Sequence, residues 1–202
     1  MLDWTPGAGR AGDDHATNTW TLRDGPQTRA IWPHAFLAEL TVSVSAGQLD
    51  VELSIENTGD DAFDFTGALH TYLQVHEVEH ATIQGLAQRG YVDQTAGGAK
   101  RRQDADGLVV DTEVDRIYGD APPQLTIVEP RNRTIIRTLG WPDVVVWNPW
   151  EAQTARITDM APDDFRHMLC VEPAVAIRPQ TVRPGEIWVG RQTLVVANGP
   201  SR

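Results

Sequence analysis

The chain reads as an all-β protein, an antiparallel sandwich or barrel, and three observations carry that reading. Apolar and polar residues alternate over many short stretches, the period-two pattern of strands with one buried face. These stretches recur at fairly even spacing and are punctuated by glycine and proline, of which the chain has 17 and 13. Only residues 162–167 could support a short helical turn, far too little helix to cover the faces of a parallel sheet.

The elements follow in order. Residues 1–30 are rich in Gly, Asp and Thr and show little periodicity beyond Trp20-Thr21-Leu22, so a loop-rich lead-in with one short strand at most is expected. Leu40, Val42 and Val44 alternate with polar residues, Ala46-Gly47-Gln48 makes a turn, and Leu49, Val51, Leu53 and Ile55 alternate again, which predicts a β-hairpin. Asn57-Thr58-Gly59-Asp60 is the next turn, followed by a strand through Phe63, Phe65 and Leu69 to Val75. Further strands are expected at 108–111, 124–129, 134–139, 144–147, 167–172 and 187–196, with residues 94–107 as one long polar loop. No repeat or linker divides the chain, and 202 residues can bury one sizeable core. A single β-sandwich domain over 1–202, with its core in 31–197, is expected.

Composition narrows the function. With 41% apolar residues and no long apolar run, the chain offers no candidate for a membrane span, which takes roughly 20 such residues. Met1-Leu2-Asp3-Trp4 lacks the basic start and apolar stretch of a signal peptide, so a cytoplasmic protein is expected. A net charge of −11 opposes binding to nucleic acid or to an acidic lipid surface, and an anionic substrate would need a local basic pocket. The single cysteine, Cys170, excludes an intrachain disulfide framework and a zinc site built from cysteines; between Leu169 and Val171 it reads as a buried packing thiol.

Two strings carry the chemistry: Ala-Leu-His-Thr-Tyr-Leu at 68–73 and Cys-Val-Glu-Pro-Ala at 170–174. Each puts one proton-handling side chain, His70 or Glu172, into a run that otherwise reads as buried strand. An imidazole and a carboxylate on facing strands can protonate one oxygen of a substrate while deprotonating another. Strand geometry sends His70 and Tyr72 to one face and Leu69, Thr71 and Leu73 to the other. A hydrogen-bonded structural histidine and a structural ion pair for Glu172 are the plainer alternatives, although a carboxylate following Met168-Leu169-Cys170-Val171 is costly to bury unless paired or working.

Three other motifs each have a chemical and a plainer reading. His76-Glu77-Val78-Glu79-His80 matches the zinc-protease pattern His-Glu-x-x-His, which needs a helix to converge on one metal. Its flanks favour strand, where four residues span about 13 Å, so no metal is expected. Val144–Trp150 is a strand entering an aromatic turn, either a core plug or a platform for a sugar ring. Lys100-Arg101-Arg102 could clamp a phosphate or simply be solvated.

Taken together, the chain resembles the aldose 1-epimerase superfamily, most closely its hexose-6-phosphate mutarotase (glucose-6-phosphate 1-epimerase) branch. The resemblance rests on an ordered set: Ile31-Trp32-Pro33-His34, Glu56-Asn57-Thr58-Gly59, 68–73, Gly85-Leu86, Val114-Asp115-Arg116-Ile117-Tyr118, 145–150, Thr158-Asp159-Met160, 170–174 and Pro184-Gly185-Glu186. It implies an antiparallel β-sandwich of the galactose mutarotase-like supersandwich type, with a sugar cleft on the concave sheet. It implies that His70 protonates the ring oxygen, that Glu172 removes the anomeric hydroxyl proton, and that Asp115 holds sugar hydroxyls.

The resemblance further implies a sugar or sugar phosphate as the small-molecule partner, and neither metal nor organic cofactor. Family members usually carry a further amino-terminal part lining the cleft, so the fold is expected to be amino-terminally shortened. The segment Asp14–Trp20 contains no arginine, and no phosphate-holding residue is assigned. An inactive carbohydrate-binding or degenerate epimerase-like domain is the alternative, and a homodimer closing an open sheet edge is a further possibility. With His and Glu near their reference states around pH 7, modest pKa tuning is expected, as is an imidazole–carboxylate separation of about 5–8 Å.

Overall fold

The computed structural model describes residues 2–198; Met1 and residues 199–202, which the expected domain included, lie outside the described residues. Two antiparallel sheets pack face to face. The ten-stranded sheet runs, in spatial order, Thr5–Pro6, His15–Arg23, Phe36–Ser45, Gln48–Asn57, Ile187–Asn198, Asn132–Leu139, Gln124–Val128, Thr82–Gln84 and Gly107–Val109, with Arg10–Ala11 also paired to His15–Arg23. The seven-stranded sheet runs Ala99–Arg102, Gly90–Asp93, Val114–Tyr118, Asp143–Asn148, Met168–Val182 and Phe63–Ala68, with Tyr72–Gln74 also paired to Met168–Val182.

The alternating runs explain the sandwich. Ile83, Leu125, Ile127 and Ile136 of the first sheet meet Val114, Val144, Val146, Leu169 and Val171 of the second in one buried cluster. Phe36, Phe63, Phe65 and Trp141 form a second, aromatic cluster with Trp188 packed against it. The predicted hairpin is Phe36–Ser45 with Gln48–Asn57, closed by Gly47 at φ 71°, a left-handed conformation that glycine adopts without Cβ strain. The fifteen-residue strand Met168–Val182 is bulged between Val175 and Gln180. Asp143 holds the bulge by accepting hydrogen bonds from the Ala176 and Ile177 amides, both at 2.8 Å.

Several sequence expectations need correction. His15–Arg23 is a nine-residue strand, not loop. Its hydrophobic contrast is weak because both faces stay partly exposed, and its pairing uses hydroxyls: Thr17 bonds Ser43 at 3.0 Å and Thr19 bonds Thr41 at 2.9 Å. Pro26–Ile31 and Trp150–Thr154 are short helices that the strand-dominated pattern hid. Residues 94–107 are not a single loop. Gly97 and Gly98, with φ of 66° and 82°, turn Gly90–Asp93 back onto Ala99–Arg102, so Lys100-Arg101-Arg102 lies on an edge strand.

The His-Glu-x-x-His string is neither helix nor strand; Val78–His80 is one 3-10 turn between strands Tyr72–Gln74 and Thr82–Gln84. Among the described residues no helix is long and apolar enough to cross a membrane.

One close approach gives a stability test. Gly140 has φ 79°, and a Cβ there would collide with the Val189 carbonyl oxygen on the neighbouring strand. Gly140→Ala should lower unfolding free energy by about 2 kcal/mol or more in a urea titration, combining left-handed strain with a backbone clash.

Candidate active site

The candidate residues gather on the outer face of the seven-stranded sheet, and strand register puts them there. Asp115 pairs with Trp147, Trp147 with Cys170, and Cys170 with Tyr72, giving a row of side chains across four strands. Glu172 lies two residues beyond Cys170 on the same face, opposite Val145, while Val171 turns into the core.

His70 departs from the expected continuous strand. It occupies a break between Phe63–Ala68 and Tyr72–Gln74. There the Leu69 amide donates to the Pro173 carbonyl at 3.1 Å and the Thr71 amide folds back to the Leu69 carbonyl at 2.8 Å. The imidazole still shares its face with Tyr72, stacking on it with ring centroids 4.8 Å apart, and meets Trp147 edge-on at 5.7 Å. Its Nε2 lies 3.5 Å from Glu172 Oε1, closer than the expected 5–8 Å. The His70 side chain is 52% exposed and that of Glu172 7%.

The anticipated electrostatics also change. Burial, and secondarily the Asp115 charge, raise the Glu172 pKa to about 7, well beyond modest tuning. Burial, with Glu113 and Asp93 nearby, also raises Asp115. Cys170 is buried as expected, and desolvation with the Glu172 charge pushes its thiol pKa up.

The aromatic run resolves residue by residue. Trp147 faces His70 and Tyr72, whereas Trp150 packs on Phe165 at 5.0 Å. Arg101 forms an ion pair with the buried Asp93 at 3.4 Å on the far margin of the sheet, away from the His70–Glu172 pair. An apolar groove of about 490 Å³ lined by Trp32, Phe36, Phe65 and Pro179 contains none of the candidate residues.

Sequence reasoning missed Gln192. Fully buried, it reaches across from the first sheet: Oε1 accepts from the Thr71 hydroxyl at 2.6 Å and Nε2 donates to the Val171 carbonyl at 3.0 Å. It thereby ties the break carrying His70 to the strand carrying Glu172. The signal was a glutamine in phase with the buried Leu194.

The aldose 1-epimerase family model matches residues 3–194. The chain belongs to the aldose 1-epimerase family. It is 35% identical over 178 residues to a Cenchrus ciliaris protein named "Putative glucose-6-phosphate 1-epimerase", covering 86% of this chain and 54% of that protein. An Escherichia coli protein of the same name is 29% identical over 187 residues, covering 90% of this chain and 60% of its own length. The chain thus spans just over half the length of these relatives. The crystal structure of YeaD from Salmonella typhimurium superposes with a TM-score of 0.90 at 24% identity, covering 98% of this chain and 66% of that one, a likeness of fold.

Two outcomes follow from the geometry. The folded-state pKa of Glu172, about 7, exceeds its ordinary 4.5, so ionisation opposes folding increasingly as pH rises through that window. Glu172→Gln should therefore be more stable than the parent at pH 8 by about 1–3 kcal/mol in denaturant melts, the advantage shrinking towards pH 5. Gln192→Leu should cost about 1–3 kcal/mol in the same assay by leaving the Thr71 hydroxyl and Val171 carbonyl unpaired.

Proposed function

We propose that this aldose 1-epimerase family chain is a mutarotase that interconverts the α and β anomers of a hexose 6-phosphate, with His70 as acid and Glu172 as base. The observation that carries the reading is the 3.5 Å approach of imidazole to carboxylate on one solvent-accessible face. The ring oxygen and the anomeric hydroxyl of a pyranose share one carbon, so an acid and a base serving both must stand near each other, each within hydrogen-bond reach of its own oxygen, and the pair here meets that condition.

In this reading Glu172 takes the proton of the anomeric hydroxyl, whose electrons form the aldehyde C=O as the bond from C1 to the ring oxygen breaks. His70 delivers a proton to that oxygen. Rotation about C1–C2 presents the other aldehyde face, and closure runs the same transfers in reverse. Asp115 accepts hydrogen bonds from sugar hydroxyls, and Trp147 with Tyr72 offers aromatic surface to the ring. A general base is most effective with its pKa near the working pH, a condition Glu172 meets through burial. The hexose 6-phosphate class comes from the names of the relatives.

Saturation-transfer NMR between the anomeric protons of glucose 6-phosphate tests the reading. Exchange above buffer is expected, falling about 10²–10⁴-fold in His70→Ala. Exchange that survives that substitution would remove His70 from the acid role, and binding with no exchange would favour a non-catalytic sugar-binding domain. The rate should climb as pH rises towards and through about 7, the range in which Glu172 becomes ionised.

A further inference from the structure

We propose that His70, Cys170 and Glu172 form a three-ligand site for Zn²⁺, and that its occupancy shuts off the acid–base pair. The His70 imidazole, Cys170 Sγ and Glu172 carboxylate each offer a ligand atom, and these atoms lie within 4.8 Å of one another. Nitrogen, oxygen and sulfur bind tetrahedral zinc at about 2.0–2.3 Å, which sets ligand atoms roughly 3.3–3.8 Å apart. The His70–Glu172 edge is already 3.5 Å, so the remaining edges, at 4.8 Å or less, need to close by about 1–1.5 Å at most.

The parts that would move and those that would stay are distinguishable. Cys170 and Glu172 are two residues apart on one strand and buried, hence fixed by the pleat. His70 sits in the break between strands with half its side chain exposed, so it supplies the adjustment and leaves a fourth position open to solvent. The single cysteine was expected to exclude a zinc site built of cysteines; joined to a histidine and a glutamate it makes a mixed set instead.

The donor set selects the ion. A thiolate and an imidazole suit zinc, whereas Mg²⁺ and Ca²⁺ prefer oxygen ligands throughout. Among the described residues His70 is the one basic side chain within 4.0 Å of the buried Glu172 carboxylate, and the nearby Asp115 charge opposes ionisation of Glu172. A dication would compensate that burial, and the Cys170 thiol proton would pass to solvent as sulfur coordinates. The bound metal would occupy the lone pairs of both proton-transfer groups, leaving neither free for a sugar. The inhibitory half rests on the proposed mutarotase activity; metal binding does not.

The test uses the full chain with Co²⁺ as spectroscopic probe and Zn²⁺ in competition with a chromogenic chelator. One equivalent of Co²⁺ should give a near-ultraviolet thiolate-to-metal band, which Zn²⁺ abolishes and an equal concentration of Mg²⁺ does not. Cys170→Ala should lose the band and bind Zn²⁺ at least about tenfold more weakly, since loss of even an outer-shell partner costs 10–100-fold in metal affinity. Cys170→Ser, closer in shape, repeats the comparison if the alanine variant does not fold.

Metal-free Cys170→Ala should exchange anomers at the parent rate and resist Zn²⁺ concentrations that silence the parent. No band, or unchanged zinc affinity in the folded cysteine variant, overturns the site. Zinc bound through Cys170 without loss of exchange overturns the inhibition. A parent that shows the band but never exchanges anomers leaves the metal site standing and removes the mutarotase reading.

Discussion

The pairing of Met168–Val182 with Asp143–Asn148 is the constraint on which the site depends. Because side chains alternate along a strand, a slip of one residue would carry Glu172 and Cys170 into the core and bring Val171 out. Leu169, Val171 and Val175 make such a slip prohibitive, since each is buried against other apolar side chains. Core packing therefore fixes where the carboxylate points, and the register with Val114–Tyr118 brings Asp115 onto the same face.

The second requirement is a histidine that leaves the ladder without leaving the sheet. A continuous strand would hold His70 at the height of its neighbours. The break at Leu69–Thr71 frees the imidazole to lean over Glu172, and Gln192 keeps the break from wandering. Glu172 is correspondingly a compromise: the burial that raises its basicity also opposes folding while it is ionised. Such opposition between stability and working chemistry is common where a charged group must be poised.

Much of the fold was legible because alternation marks any strand with one buried face. Gln48–Asn57, Gln124–Val128 and Ile187–Asn198 announce themselves in this way. His15–Arg23 did not, since its threonines serve pairing and not burial, and Ala99–Arg102 did not because charges mask an edge strand. The three candidate residues were legible from ordered motifs, and the structure brings them to one face. Their spacing was not, because it depends on a local break that a period-two reading smooths over. Gln192 was hidden for a related reason: one polar residue in an apolar alternation looks like noise until both its partners are located.

Gln192 belongs to one sheet and its two partners to the segment and strand of the other. The sandwich is in this respect a single mechanical unit, in which the sheet of Gln192 holds the sheet of the His70–Glu172 pair in alignment. Damage far from the His70–Glu172 pair, such as fraying of Ile187–Asn198, would then be felt as a displaced imidazole well before the layers part.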